Sequence, residues 1–242
     1  MERLSIPLLI AIAIFSLAWA GCNDDPDPTE GTATIAIDYS VGNDALVLDQ
    51  INYTTLAGNS YSVTMMRYLL SSFVFHRTNG DDVQSDKVFY VEAGRPETAN
   101  LQFDDIPFGE YGSVSFSLGL APALNVPNGL PNEVDFNAMV WPAAMGGGYH
   151  FMRFEGHFIH SNTQQMGIAW HLGRDQAIMP FQLNHAFTLS EDDGQVGTLT
   201  MDIDQYFRNP VTFDLDTTNF SMGNIELIDI MVANGLDVFS IQ

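Results

Sequence analysis

Cysteine is almost missing from this 242-residue chain: Cys22 is its only one, so no disulfide can close within the chain and no cysteine-based zinc motif can form. Basic residues are scarce too, with 8 Lys and Arg against 30 Asp and Glu, for a formal net charge of −22. Such a surface repels nucleic-acid phosphates, whose binding rests on Lys/Arg neutralisation and counterion release, and it repels anionic bilayers for the same reason. Charged residues are only 16% of the chain and hydrophobic ones 46%, which excludes a disordered acidic tail. No apolar run reaches the roughly 20 residues that a membrane-spanning helix needs. Also missing are a Gly-rich loop ending in Lys-Ser/Thr, a strand–helix Gly-x-Gly-x-x-Gly, a Gly-x-Ser-x-Gly elbow and a 12-residue calcium loop. With no spacing that pairs a nucleophile with a base, the chain reads as a non-enzyme.

What is present begins with a leader. Leu8 to Leu17 is apolar except for Ser16 and follows a start containing Arg3, which is signal-peptide length. It ends in Leu17-Ala18-Trp19-Ala20-Gly21-Cys22. Ala18-x-Ala20 is one possible cleavage site; alternatively, Ala20-Gly21-Cys22 resembles the lipobox of bacterial lipoproteins, in which the cysteine becomes the lipidated first residue. We expect a signal peptide over 1–21, a lipidated Cys22 opening an acidic linker over 22–31, and one domain over 32–242. The run Asn23 to Gly31 is polar, Pro- and Asp-rich and without apolar periodicity, as a solvated tether should be. Its acidity also resembles the surface-export signals of some Gram-negative lipoproteins. The expected location is therefore the outer membrane, on its periplasmic or outer side.

The body reads as strands. Apolar and polar residues alternate over Thr32 to Tyr39, Val114 to Leu120, Leu199 to Asp204 and Val211 to Asp216. That period of two marks sheets with one buried and one solvated face. Asn79-Gly80, Pro107-Phe108-Gly109, Asn128-Gly129 and Asp193-Gly194 punctuate the runs as turns. The pattern predicts an all-β fold, an antiparallel β-sandwich with at most one or two short helices. One helix is expected over Met222 to Asn234, from Ile225, Ile228, Val232 and Leu236, and a shorter one near Asp204 to Phe207. Asp202/Asp204 and Asp214/Asp216, two apart on a strand, read as solvated sheet surface, with calcium binding the alternative.

The histidines are more informative. Six occur, and His150, His157, His160 and His171 fall close together, behind Trp141-Pro142-Ala143-Ala144-Met145-Gly146-Gly147-Gly148. Imidazoles among Met and Trp, without cysteine, suit copper, nickel or zinc better than calcium or magnesium. On a continuous strand over 149–160, His150 shares a face with Met152 and Phe154, whereas His157 shares one with Arg153 and Glu155. His150 and His160 would lie roughly 33 Å apart at ~3.3 Å per residue. A metal held by His150 therefore needs a partner from another strand, and His171 in Trp170-His171-Leu172-Gly173 is the natural one. The stretch from Trp141 to Met152 has no acidic residue.

At these residues the chain resembles the MbnP-like proteins, exported β-sandwich copper-binding proteins of the metallo-mystery-pair type. The likeness is carried by Leu124-Asn125, Leu130-Pro131-Asn132, Met139-Val140-Trp141, Gly148-Tyr149-His150-Phe151-Met152-Arg153-Phe154-Glu155-Gly156 and His171-Leu172-Gly173. Met66 to Ser72 and Ala233 to Phe239 add weaker matches. The resemblance implies copper held by histidines and by a tryptophan oxidised to kynurenine, with a di-haem MbnH-type peroxidase as the oxidising partner. Carried over by position, Trp141 is the candidate kynurenine and His171 a metal ligand; His150 is a ligand from the strand argument, and Trp170 is the reserve for oxidation. Some members have His where this chain has Val126, and a second Trp where it has Ala143. The contrasting expectation is a surface interaction sandwich whose histidines hold no metal.

Overall fold

The structure, a computed structural model, describes residues 29–242. The leader, Cys22 and most of the acidic linker lie outside the described residues. In chain order the strands are β1 (Glu30–Val41), β2 (Asp44–Ala45), β3 (Tyr53–Thr54), β4 (Ser60–Arg77), β5 (Val83–Ser85), β6 (Phe89–Glu92), β7 (Asn100–Pro107), β8 (Gly109–Leu118), β9 (His150–Ile159), β10 (Gln165–Gly173), β11 (Met179–Leu189), β12 (Gln195–Asp202) and β13 (Phe239–Ile241). Two helices accompany them, α1 (Val134–Asn137) and α2 (Ile225–Gly235).

The strands form two sheets. One runs β13-β12-β1-β2 with β7 also beside β1; the other runs β10-β9-β4-β8-β11, with β3, β5 and β6 on β4. The pairings are antiparallel except for β1 with β12, which is parallel. A parallel pair needs a long crossover; here nearly the whole domain supplies it, since β1 opens the fold and β12 comes close to its end. The alternation read from the sequence places Ala33, Ile35 and Ile37 of β1 and Leu199 and Met201 of β12 in the core. Aromatic rings fill the space between the sheets. Phe103 of β7 lies 4.8 Å from Phe73 and 4.9 Å from Phe75 of β4, and Phe239 of β13 lies 5.4 Å from Phe116 and 5.0 Å from Phe181. Edge-on and offset pairs of this kind add to the burial they provide.

The long strand β4 explains where the site sits. Its residues Tyr61 to Tyr68 pair with β9, and Leu70 to Arg77 pair with β8. The chain leaves β8 and returns as β9 on either side of Leu69, whose carbonyl accepts from the Gly119 N–H at 2.8 Å. Gly119 is at φ +116°, and a Cβ there would stand 2.5 Å from the Phe151 ring. Only glycine fits such a junction. The excursion from 119 to 149, which contains α1 and a 3-10 turn over Ala143–Met145, is thus rooted beside the first residues of β9.

Three expectations are corrected. Val211 to Leu215 is no strand: Phe213 and Leu215 are buried, but the segment runs as a loop whose Phe213 ring meets Trp170 edge-on at 5.2 Å. Alternating burial there reflects docking onto the core, not ladder pairing. Asp202 and Asp204 do not share a strand face. Asp202 ends β12 and accepts from the Asp204 N–H, while Asp204 is buried within the 3-10 turn Ile203–Phe207 and paired with Arg208. Finally, α2 turns inward Leu227, Met231 and Asn234, leaving Ile225 and Leu236 exposed. Asn234 explains the choice of face: its amide donates to the Tyr206 and Val211 carbonyls and accepts from the Val211 N–H.

Candidate metal centre

The loop that carries Trp141 is fixed by the residues that looked most distinctive in the sequence. Asn125 Oδ1 accepts from the Tyr149 N–H at 3.0 Å, and its Nδ2 donates to Asp175 at 2.9 Å. The Tyr149 hydroxyl accepts from the Leu130 N–H at 3.0 Å. Val140 and Tyr149 form an isolated antiparallel bridge, flanked by Trp141 N–H to the Gly148 carbonyl at 2.8 Å and His150 N–H to the Met139 carbonyl at 2.6 Å. The loop is therefore closed by backbone ladder bonds. Trp141 is drawn inside it, 2% exposed, with Nε1 donating to the Met145 carbonyl at 3.3 Å. A cavity of about 110 Å³ reaches the indole between Pro127, Val140, Ala143 and Tyr149.

His150 and His171 meet, but by a route the strand periodicity did not anticipate. In the β9–β10 ladder Leu172 pairs with Met152 while Gly173 pairs with His150, so Phe151 is an extra residue. Such a bulge shifts the alternation by one. His150 thereby leaves the face of Met152 and Phe154, where the sequence reading put it, and joins the face of Arg153, Glu155 and His171. The two imidazoles lie 5.1 Å apart, centroid to centroid and nearly perpendicular; the Trp141 ring lies 4.5 Å from His150 on its other side. His150 is 6% exposed, and its Nδ1 is buried without a hydrogen-bond partner. A buried unpaired ring nitrogen costs free energy unless something else satisfies it.

His171 is held from two directions. Its backbone N–H donates to Ser221 Oγ at 2.6 Å, and that hydroxyl donates back to the His171 carbonyl at 2.9 Å. Its ring Nε2 lies 2.9 Å from Glu155 Oε1, which also accepts from Arg153 at 2.8 Å. Sequence reasoning placed Arg153 and Glu155 on one face but gave them no part in the site; their two-residue spacing opposite His171 was the available signal. Ser221 had none, because it reaches His171 from 50 residues away. Replacing Ser221 with alanine leaves a buried backbone N–H unpaired, at a cost of about 1–3 kcal/mol. Faster amide exchange at His171 and a lower Tm than wild type are the expected readouts.

Burial, then the neighbouring His171 and Arg153, pushes the His150 imidazole down to about 3, and burial also lowers His171. Burial raises the Glu155 carboxyl, but hydrogen bonds from Arg153 and His171 outweigh it and hold the group below its usual range. Both imidazoles are thus neutral at pH 7 and keep a lone pair. A histidine whose pKa is lower in the folded than in the unfolded chain stabilises the fold fully above the unfolded value and loses that contribution as pH falls toward the folded one. Metal-free protein is expected to lose stability between about pH 6.5 and 3. A His150→Phe variant should lose less over the same window, as read from Tm against pH.

The remaining histidines disperse. His76 bonds Asp82 and Ser115, His185 bonds the Val196 carbonyl, His160 accepts from the Asn162 N–H, and His157 is exposed. Trp170 is wholly buried, stacked on Phe154 at 5.0 Å and tilted against Phe207 at 5.0 Å. Its side belongs to the sandwich core, away from the paired imidazoles. Val126 and Ala143 are exposed apolar side chains with nothing to offer a metal. Among the described residues no group of three or more His, Cys, Asp and Glu side chains is arranged to hold a metal ion. Two imidazoles beside a buried indole are what the centre contains.

The model of the MbnP family matches residues 30–227. Among solved structures, the chain is similar to MbnP from Methylosinus trichosporium, with a TM-score of 0.53 and 12% identity over 76% of this chain and 80% of that one. That likeness concerns the fold. No curated protein matches the chain significantly.

Proposed function

Because the chain belongs to the MbnP family, we propose that it is an exported copper-binding lipoprotein with no turnover of its own. In this reading His150 and His171 hold the metal, Trp141 is oxidised to kynurenine by a di-haem MbnH-type peroxidase, and Cys22 carries the lipid that keeps the protein at the outer membrane. The observation that carries the reading is the His150 ring, buried between Trp141 and His171 with Nδ1 unpartnered. Neutral imidazoles suit copper by donor type.

The residues fit copper, and they also explain why the tryptophan matters. Two imidazoles are an incomplete ligand set; Glu155 touches His171 but is engaged by its ring N–H and by Arg153, and no group of three or more His, Cys, Asp and Glu is arranged to hold a metal among the described residues. An indole keeps its N–H and only donates. Oxidative cleavage of the indole C2–C3 bond, with peroxide reduced by the partner peroxidase as the oxidant and C2 leaving as formate after hydrolysis, would turn the ring nitrogen into an aryl amine with a lone pair, on the residue whose indole centroid lies 4.5 Å from that of His150. Bound copper would supply a centre for these nitrogens; the chain buries His150 and Trp141, keeps both imidazoles neutral and sets the aromatic residue against His150. Glu155 bonds the His171 ring and is itself paired with Arg153, beside the stretch from Trp141 to Met152 that carries no acidic residue.

Peptide mass mapping of protein from its native host tests this reading. The expected result is one tryptophan-to-kynurenine conversion, at Trp141 and not Trp170, that disappears when the partner peroxidase is deleted. Unmodified Trp141 in the host would sink the kynurenine step. The same material tests the anchor: Cys22→Ala is expected to move the protein out of the membrane fraction, and unchanged fractionation would count against lipidation.

A further inference from the structure

We propose that Glu155 is a positioning residue for the metal centre, holding His171 in the one tautomer that leaves Nδ1 as its metal-accepting nitrogen. The proposal rests on the reading of His150 and His171 as ligands. Its geometry is independent of any metal. Glu155 Oε1 lies 2.9 Å from His171 Nε2 and 2.8 Å from an Arg153 nitrogen. An ionised carboxylate only accepts, so the His171 proton sits on Nε2. A neutral imidazole has one N–H and one lone pair, and with Nε2 engaged the lone pair is on Nδ1.

Glu155 is itself aimed by the loop it serves. The other terminal nitrogen of Arg153 donates to the Ala138 carbonyl at 3.3 Å, three residues before Trp141. One relay therefore runs from the Trp141 loop through Arg153 and Glu155 to the ring of His171. The β9–β10 ladder and the Ser221 bonds already fix the His171 backbone. What Glu155 adds is the choice of ring nitrogen. Carboxylate partners of ligating histidines act this way, fixing tautomer and orientation and raising ligand basicity. The bulge at Phe151 gives the choice a purpose, because it brings His150, with its own unpartnered Nδ1, to the same face.

The test uses the full chain from its native host, as wild type, Glu155→Ala and Glu155→Gln. Long-range proton–nitrogen NMR of the metal-free protein at neutral pH reads the His171 tautomer, assigned through the signal lost in His171→Gln. Wild type is expected to show the Nε2–H form alone and Glu155→Ala a mixture. Glu155→Gln keeps an acceptor oxygen and should retain the wild-type form. Titration with copper should show a Kd raised about 10- to 100-fold in Glu155→Ala, with a smaller rise in Glu155→Gln. The proposal is overturned if Glu155→Ala keeps a pure Nε2–H tautomer, or binds copper within about twofold of wild type. If wild type itself binds no copper, the ligand reading fails separately, and the tautomer spectra decide whether Glu155 sets the ring.

Discussion

Replacing Gly173 with alanine is expected to disrupt the Trp141 seat while leaving the rest of the sandwich folded. Gly173 ends β10 directly under the indole. A Cβ there would stand 2.6 Å from Trp141 Cε3, 2.8 Å from Cζ3 and 2.9 Å from the Tyr149 carbonyl oxygen. None of these atoms is the loose end of a flexible side chain. The indole is 2% exposed and the Tyr149 backbone is tied to Val140 and Asn125. Overpacking of this kind costs about 1–3 kcal/mol, or roughly 3–10 °C in Tm for a domain of this size. Because His150 lies 4.5 Å from the same ring, copper binding should weaken along with stability. Gly167→Ala is the control: it lies on the same strand with nothing within 4 Å of its Cβ position, and should stay close to wild type. Equal Tm values for the two variants would show that the Trp141–Gly173 contact carries no constraint.

Removing either imidazole is expected to have the largest effect on the metal. Glu155, acting at one remove, is assigned a 10- to 100-fold effect at most; loss of His150 or His171 removes one of the two imidazole ligands outright and should cost more than about 100-fold in copper affinity. The stabilities should separate the two residues. His150→Ala opens a void between Trp141 and His171, but it also deletes a buried nitrogen that has no partner, so its cost in metal-free protein is offset in part. His171→Ala strands Glu155 and Arg153 with each other on a half-buried surface, a milder loss. Copper added in 100-fold excess over Kd stabilises wild type by about 2.7 kcal/mol, a shift that both variants should lack. A copper-dependent Tm rise that survives in the double variant would place the metal elsewhere.

Much of the fold was legible because burial follows strand periodicity. Ala33, Ile35 and Ile37 alternate in the sequence and are buried in β1. Leu199 and Met201 do the same in β12. The pattern does not encode which strands become neighbours, so the parallel pairing of β1 with β12 was not foreseeable from it. Nor could it distinguish a paired strand from a docked loop, as Val211 to Leu215 demonstrates. In α2 the buried face is centred on Leu227, Met231 and the amide of Asn234, whose three hydrogen bonds need interior partners, so of the residues read as the apolar stripe Ile228 stays half-buried against the core while Ile225 and Leu236 are exposed.

The site divides in the same way. Trp141, His150 and His171 were identifiable from residue type and from the resemblance of the surrounding motifs, and the need for His150 to find its partner on another strand followed from strand length alone. The face on which they meet was not identifiable. One extra residue, Phe151, reverses it, and nothing about a phenylalanine announces a bulge. Glu155 and Arg153 become visible once that face is known. Ser221 and Asn125 each act through a pair of hydrogen bonds to residues distant in sequence, which leave no periodic trace.

Copper content tests the metal centre most directly. Full-length protein purified from the native host without added metal, alongside His150→Ala and His171→Ala versions expressed there at the chromosomal level, should be analysed for metal per chain. The expected result is one copper per wild-type chain and none in either variant, with all three folded. Wild-type protein free of copper, or variants that carry as much as wild type, would contradict the assignment of a metal centre to these two histidines.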